Sequence, residues 1–392
     1  MVVVSGEIDE LEKENVVNPD TFETIKKLGA HNAIKCMNCG LCTVSCPLSI
    51  TGNEFPRKMI RYASLGLENK IASHPEPWMC FYCGDCSKTC PSGAQPGEFM
   101  MATRRFLISK YDWTGISRRI YKSEKLEIGL MFLVALAVLA FFYVIGSFDR
   151  MNTDHVSINT FIPWEVMWVV SLGVIGLLML LLFSNALRMF YFIMIKDQTV
   201  KIPIKLYFTE IKTFIVQMAT QKNWLTCDGK SKRWVKHFLG VTAEGTIFVF
   251  IILLLPIFQR DTSQWHWSAL PGYYITAILT VVSLDALISR WKKKEKMHEF
   301  SELSDWLFLI MPLLTVFSGM LLHLFRLVDM PLPSYYMYVI HIMIVAPMMI
   351  LEVPFGKWAH LYYRPLAIYF QAVKEKAKEQ DEAVAGAFAP AD

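Results

Sequence analysis

The chain has 392 residues, of which 54% are apolar and only 19% are charged, and its formal net charge is +4. This composition excludes an ordinary soluble protein and indicates a membrane protein with a soluble part. The net charge is too small to indicate a nucleic-acid partner, and we expect none. The opening stretch, MVVVSGEIDELEKENVVNPD, has neither a basic start nor an apolar segment, so we expect the N-terminal region to stay in the cytoplasm.

Residues 1–126 are predicted to form a cytoplasmic domain. They are mixed in polarity and contain eight of the nine cysteines, in two short runs, CMNCGLCTVSCP and CFYCGDCSKTCP. The stretches 52–71 and 97–112 have helical patterns, and no alternating strand pattern occurs, so we predict a mainly α domain. The ninth cysteine, Cys227, stands alone.

Each run has the spacing C-x2-C-x2-C-x3-C-P, which is typical of ligands to two [4Fe–4S] clusters. In such proteins the fourth cysteine of one run binds the cluster of the other run. A zinc site is the alternative, but structural zinc usually takes two cysteine pairs separated by a long gap. The predicted ligands are Cys36, Cys39, Cys42 and Cys90 for one cluster, and Cys80, Cys83, Cys86 and Cys46 for the second.

From residue 127 onward the chain contains long apolar segments that predict six transmembrane helices. A helix needs about 20 residues to cross the hydrocarbon core. Pro347 and Pro354 are expected to kink the last segment. The fold class predicted for the whole chain is therefore all-α, with a helical two-cluster domain followed by a six-helix membrane bundle over 127–364. The predicted spans are 128–148, 166–187, 237–259, 270–289, 306–326 and 335–360.

Basic residues predict the orientation of the spans. The connection 188–236 has ten Lys or Arg against three acids, and RWKKKEK at 290–296 adds five basic residues. The positive-inside rule places both segments, the cluster domain and both termini on the cytoplasmic side of the inner membrane. An amphipathic segment at 204–221 is expected to lie on the inner leaflet or to pack on the soluble domain. The tail 365–392 is expected to be partly disordered.

Four histidines lie within or at the edges of the predicted spans. Ionisable residues there indicate function by default, and neutral imidazoles that bind b-type haem iron avoid the cost of a buried charge. By depth, His237 pairs with His360 at the inner edge and His323 with His341 at the outer edge, which predicts one or two haems. The alternative is that these histidines pack at helix ends. The basic residues near enough to meet haem propionates are Arg233, Lys236, Arg326 and Arg364.

Three acids lie within the spans and are candidates for a quinone site. A quinone site needs a proton donor or acceptor near the carbonyls of the ring, and intramembrane acids can serve. Hydrogen bonding between helices is the alternative role for each of them. The candidates are Glu244, Asp285 and Glu352.

The order of these parts resembles a known group of proteins. The twin cysteine runs are similar to the C subunit of heterodisulfide reductase, and the membrane half resembles its E subunit and the membrane subunit of respiratory nitrate reductase. The fusion resembles the C subunit of the quinone-interacting membrane-bound oxidoreductase complex of sulfate reducers. In the nitrate-reductase type, two histidines on an early helix pair with two on the last. Here His237, His341 and His360 match, but AEGTIFVF stands where the fourth is expected.

The resemblance implies electron exchange between menaquinone and cytoplasmic flavoproteins that resemble heterodisulfide reductase A, which in turn serve adenylylsulfate reductase. It therefore implies a quinone-reactive electron-transfer subunit of an oxidoreductase complex. Two alternatives stay open. One is a related complex whose soluble partner reduces a disulfide, and the other is a haem-free membrane anchor for an iron–sulfur partner.

Overall fold

The computed structural model describes residues 17–49, 54–196, 201–226, 231–261 and 263–387. These described ranges are helical and contain no β-strand, as the sequence predicts. Cys227 and the last five residues, 388–392, lie outside the described residues.

The N-terminal domain is built around one long helix, Pro96–Tyr111, whose side chains are buried almost all round. Phe99, Met100 and Leu107 of this helix are fully buried and pack with Trp78 and Met59 in one core. The described helices of this domain are Thr21–Lys27 (α1), Leu41–Val44 (α2), Arg57–Ser64 (α3), Glu68–Ala72 (α4), Glu76–Met79 (α5), Asp85–Lys88 (α6), Pro96–Tyr111 (α7) and Ile116–Lys122 (α8).

The rest of the described chain contains six helices long and apolar enough to cross a membrane, by length and composition. This agrees with the predicted number of spans and indicates a multi-pass membrane protein. In order, the spans are Glu124–Val144, Trp164–Lys196, Lys232–Phe258, Ala269–Trp291, Leu303–Leu327 and Pro331–Phe355. The α-helices of this half are Glu124–Val144 (α9), Ile158–Phe161 (α10), Trp164–Phe190 (α11), Ile204–Thr209 (α12), Ile211–Thr220 (α13), Ser231–Val249 (α14), Leu255–Phe258 (α15), Ala269–Trp291 (α16), Leu303–Leu327 (α17), Pro331–Pro347 (α18), Val353–Phe355 (α19) and His360–Ala387 (α20).

The sixth span is interrupted at the prolines that predict a kink. Helix α18 ends at Pro347, a π-helical turn covers Met348–Glu352, and the short helix α19 contains Pro354. Proline lacks an N–H and its ring collides with the carbonyl four residues earlier, so a wider turn accommodates it. The interruption places Glu352 in the π-turn, where it points into the protein and is fully buried.

The spans pack as neighbours in a defined order. The sixth span lies between the first and the fifth, and the fourth lies between the third and the fifth. The second span contacts the π-turns of the third and sixth spans. The first and sixth spans are thus adjacent although they lie far apart along the chain.

The cluster domain and the membrane half share one hydrophobic core. Trp78 and Tyr111 of the first domain contact Tyr363 of helix α20, with ring centroids 5.0 and 5.7 Å apart. Tyr111 also contacts Phe192 at the end of the second span, at 6.1 Å. Burial of several aromatic rings stabilises such a junction strongly. The two halves therefore form one packed body at this end of the spans.

A buried ion cluster joins the same two halves. Asp305, in the first turn of the fifth span, is 5% exposed and lies 2.8 Å from Arg105 of helix α7. Lys357 Nζ lies 2.5 Å from the other oxygen of Asp305, and Arg290 lies 3.8 Å away. Four charged side chains from four separate chain segments therefore meet at the domain boundary.

The amphipathic segment forms two helices, α12 and α13, which pack on helix α20. Leu206 and Gln217 are buried at this contact, whereas Ile204 and Phe208 point outward and are largely exposed. The segment thus presents side chains both to a protein contact and to an outward surface. The tail is helical as far as Ala387, the end of helix α20.

Candidate metal centres

The two cysteine runs fold into matching loops. In each run, the glycine after the second cysteine has positive φ, 86° at Gly40 and 82° at Gly84, and caps a one-turn helix. The residue two positions earlier also has positive φ, 57° at Asn38 and 53° at Tyr82. Glycine enters this conformation without steric cost and lets backbone N–H groups face inward. The sequence duplication is therefore also a structural duplication.

The loops bring the eight cysteines into two groups of four. Pocket A is the concave site lined by Cys36, Cys39, Cys42 and Cys90, and pocket B is the site lined by Cys80, Cys83, Cys86 and Cys46. Each pocket takes three cysteines from one run and the fourth from the other, which is the grouping that the sequence predicts. The eight cysteines form no disulfide.

The donor set of each pocket fits a [4Fe–4S] cluster. Among the described residues, no three His, Cys, Asp or Glu side chains converge closely enough to hold a single metal ion. The four thiols instead stand around the wall of each pocket, as ligands to a cubane do. When bound, such clusters supply one-electron redox centres.

Burial sets the acidity of the thiols. Desolvation raises the pKa of Cys46 to about 12 and also raises the pKa of Cys42 and of Cys86. At Cys90, burial is outweighed by hydrogen bonds from Ser92 and the following backbone, so its pKa is lowered. Metal ligands are thiolates, so loading iron into pocket B releases protons.

Pocket B lies beside the membrane half, and buried polar contacts hold the loop around it. Arg104, which is buried, donates from Nε to the Pro77 carbonyl oxygen at 2.7 Å and also donates to the Cys80 carbonyl oxygen. The Tyr82 hydroxyl contacts Glu98 and lies 2.9 Å from the carbonyl oxygen of Met297, in the membrane half. Burial raises the pKa of Glu98 to about 7. These contacts fix pocket B against the membrane half.

Pocket A, by contrast, opens at the protein surface. Cys39 is exposed, and apolar side chains around the pocket point outward. An outward cluster of apolar residues is typical of a contact surface for another protein. We call this surface the pocket A face, and its residues are Ile34, Met37, Leu41 and Val44, which are 48 to 85% exposed.

The inner histidines lie next to pocket B. Phe81, which lines pocket B, contacts Trp224 with ring centroids 5.7 Å apart. Trp224 in turn stacks on His237 at 4.7 Å, and His237 lies near enough to His360 for the two rings to interact electrostatically. The Arg364 guanidinium lies 4.8 Å from the ring centres of both Phe81 and Trp224. A continuous set of contacts therefore joins pocket B to the inner histidine pair.

The inner histidines have the chemistry of haem ligands. Nδ1 of His360 lies 2.7 Å from the Lys357 carbonyl oxygen, which only accepts, so this nitrogen carries the proton. Nε2 is then the nitrogen with a lone pair for iron, because a hydrogen bond at one ring nitrogen of a histidine leaves the other free to bind a metal. The buried Nδ1 of His237 has no hydrogen-bond partner among the described residues. This donor set fits a bis-histidine haem.

The outer histidines have polar partners of their own. His341 Nδ1 lies 2.9 Å from the Ser318 hydroxyl, and its ring lies against Gly319, where a Cβ would approach to 3.2 Å. His323 is engaged at both nitrogens, by the Tyr273 hydroxyl at 2.8 Å and by Arg326 at 3.2 Å. The fit to a haem is therefore poorer at His323 than at the inner pair.

The remaining predicted site residues differ in their burial and in their charged partners. Arg233 pairs with Glu295, and Asp285 pairs with Lys236 at 2.6 Å on a half-exposed surface. Glu244 is partly buried in the third span. Glu352 is fully buried and lies close enough to Glu127 for the two carboxyl groups to interact. Of the three predicted acids, Glu352 is thus the one that meets a second acid.

Several residues of the site do not stand out in the sequence. Phe81 and Trp224 look like ordinary aromatic residues, and their contact forms only in the fold. Glu127 immediately precedes the predicted first span and so escapes a search for acids within spans. Asp305 was detectable in principle, because Glu302 and Asp305 form a capping box at the start of a span.

Comparisons with known proteins agree with the cysteine geometry. Residues 32–94 match the family described as a 4Fe-4S dicluster domain, which supports two [4Fe–4S] clusters. No solved structure matches the chain.

The similar proteins are heterodisulfide reductase subunits. A protein from Archaeoglobus profundus that is described as like the C subunit of heterodisulfide reductase is 39% identical over 100 residues, which are 25% of this chain and 53% of that protein. The C subunit of an H(2):CoB-CoM heterodisulfide,ferredoxin reductase from Methanothermobacter thermautotrophicus is 36% identical over 83 residues, 20% of this chain and 43% of the relative. The chain thus spans about half the length of these curated relatives, and the similarity is to their iron–sulfur part.

Proposed function

We propose that this chain is the membrane subunit of a respiratory oxidoreductase complex that passes electrons between menaquinol and cytoplasmic flavoprotein subunits. The observation that carries the proposal is the placement of the two pockets. Pocket A is at the surface, whereas pocket B is buried against the membrane half and contacts the inner histidines through Phe81 and Trp224. In this proposal the electron path runs from pocket A through pocket B to the inner histidines. Its end at pocket A meets a partner protein, and its end at the histidines meets the bilayer.

The residues of the chain position and insulate the redox groups. A b haem between His237 and His360 would supply a one-electron carrier at the membrane end. The packed rings of Phe81 and Trp224 exclude water from the space between pocket B and these histidines. Arg364, which is buried over both rings, fixes their relative position through cation–π contact.

The proposed partners follow from the relatives. These relatives are described as C subunits of heterodisulfide reductases or as like them, so we propose that the soluble partner resembles heterodisulfide reductase A. We propose adenylylsulfate reductase as the enzyme that receives the electrons, in sulfate respiration. The second candidate is a disulfide-reducing partner, which the same names favour. Identification of the proteins that co-purify with the chain separates the two.

Histidine replacement tests the membrane end. In a reduced-minus-oxidised optical spectrum of the purified protein, we expect a b-type α-band that His237→Ala and His360→Ala each diminish or abolish, because each removes an iron ligand. His155→Ala, in an exposed outer loop, is the matched control and should leave the band intact. A wild-type protein without any b-type band would instead support the haem-free anchor.

Charge insertion tests the partner end. Val44→Glu on the pocket A face should weaken binding of the co-purifying soluble partner at least about tenfold, because a buried unpaired carboxylate at an interface costs more than about 1.4 kcal/mol. Binding would be measured by titration with the purified partner, and iron content should not change. Leu65→Glu, an equally apolar exposed site away from pocket A, is the control. Equal affinities for both variants and wild type would place the docking surface elsewhere.

A further inference from the structure

Two buried acids meet where the first span packs on the sixth. Glu127 is 3% exposed in the first turn of the first span, and Glu352 is fully buried in the π-turn of the sixth. The two carboxyl groups lie close enough to interact directly. The residues flanking Glu127, Leu126 and Ile128, are exposed on the outer side of the same helix.

The hydrogen bonding of this pair requires a proton. When both groups are ionised, Glu127 Oε1 and both oxygens of Glu352 have no hydrogen-bond donor among the described residues. Two buried carboxylates in contact do not both ionise, because the like charges repel and neither is hydrated. One proton held between the two groups supplies the missing donor. The pair therefore stores a single proton and has an oxygen left to accept another.

The positive charge that faces the two acids is already engaged by other groups. Tyr121 of helix α8 faces both acids, and its buried hydroxyl has no partner among the described residues. Arg105 of helix α7 is the facing cation, but it is engaged by Asp305 at 2.8 Å and by the Leu28 carbonyl oxygen at 2.7 Å. The other charged groups that face the acids are Asp305 and Glu124.

The backbone is shaped around the carboxyl of Glu352. Gly356 lies against this group, and a Cβ at position 356 would collide with Glu352 Oε2. Glycine therefore provides the room that the buried carboxyl occupies. Asp285 is another of the acids that the sequence offers for a quinone site. It pairs with Lys236 on a half-exposed surface, so it offers no comparable buried site.

We infer that Glu127 and Glu352 form the proton-accepting site for oxidation of a hydroquinone by the membrane half, an inference that rests on the proposed function. A hydroquinone releases two electrons and two protons as it becomes a quinone. The electrons pass singly to the redox groups of the chain. One proton passes from a hydroquinone hydroxyl to the free carboxylate oxygen of the pair, which then consists of two carboxylic acids, and the second proton goes to water.

Glutamine variants test the inference by two independent measurements. Glu127→Gln and Glu352→Gln keep the shape of the side chain but cannot share the proton. In infrared spectra we expect wild type to show a protonated carboxyl band that shifts in deuterium oxide, and we expect this band to change in frequency and intensity in both variants, because the remaining carboxyl no longer shares its proton with a second acid. In proteoliposomes we expect menaquinol to reduce the metal centres at least about a hundredfold more slowly in both variants, the range for loss of a general base.

The controls distinguish this inference from the proposed function. Glu165→Gln, an exposed acid at the start of the second span, should keep both the band and the rate, and unchanged iron content in every variant shows that the protein folds. Normal reduction of both glutamine variants, or absence of the band from wild type, overturns the inference alone. A wild-type protein that menaquinol does not reduce overturns the proposed function as well.

Discussion

Cys46→Ala and Cys90→Ala should each remove one cluster. Cys46→Ala should remove the cluster of pocket B, and Cys90→Ala should remove the cluster of pocket A, although each cysteine belongs to the run that mainly lines the other pocket. Wild type should contain about eight iron atoms per chain and each variant about four. The reason is geometric, because Cys46 lines pocket B with the second run and Cys90 lines pocket A with the first. Iron and acid-labile sulfide analysis gives the count, and electron paramagnetic resonance of the reduced protein identifies the surviving cluster.

Double variants show whether the ligands are crossed. Cys46→Ala combined with Cys80→Ala affects pocket B alone and should leave about four iron atoms, whereas Cys46→Ala with Cys36→Ala affects both pockets and should leave almost none. Cys227→Ala, which removes the cysteine outside both runs, should keep the wild-type count. If each run held its own cluster, the two double variants would exchange their results.

Asp305→Ala should destabilise the whole protein by about 3–5 kcal/mol, the usual cost of removing one partner from a buried ion cluster. The substitution leaves Arg105, Lys357 and Arg290 close together without their shared carboxylate. It therefore adds mutual repulsion to the loss of three charge contacts. We expect a lower midpoint of thermal unfolding in detergent and faster proteolysis between the cluster domain and the membrane half.

Asp285→Ala is the matched control for this prediction. It also removes an acid from an ion pair at the end of a span, but Asp285 and Lys236 are each about half exposed, 49% and 51%. Exposed pairs contribute only about 0–1 kcal/mol, because water and salt screen them. Equal effects of the two substitutions would show that the Asp305 cluster does not fasten the domains together.

The features that the sequence predicted correctly depend on near neighbours in the chain. The number of spans follows from the length of each apolar segment, because a helix of about 20 apolar residues fits the bilayer wherever its neighbours lie. The all-α class follows from the helical periodicity of segments such as 97–112. The grouping of Cys46 with the second run follows from a spacing that places a fourth thiol away from its own triplet.

Other features arise only because distant segments pack together. Phe81 contacts Trp224, and Glu127 meets Glu352, although the members of each pair lie far apart in the sequence. In neither pair does the sequence around one residue indicate which distant residue it contacts. Which helix faces meet is decided by side-chain packing between spans, and the shift of register at the π-turn of the sixth span turns Glu352 inward.

The sequence by itself thus determined the helical class and the number of candidate spans, and the four cysteines that line each pocket are the four that it groups together. Only the tertiary structure decided that pocket B lies against His237, that Asp305 joins the two halves and that two acids share a buried site. The physical reason is that ligand spacing and helix length are local properties of the chain. Burial and the pairing of charges depend instead on everything that packs around them.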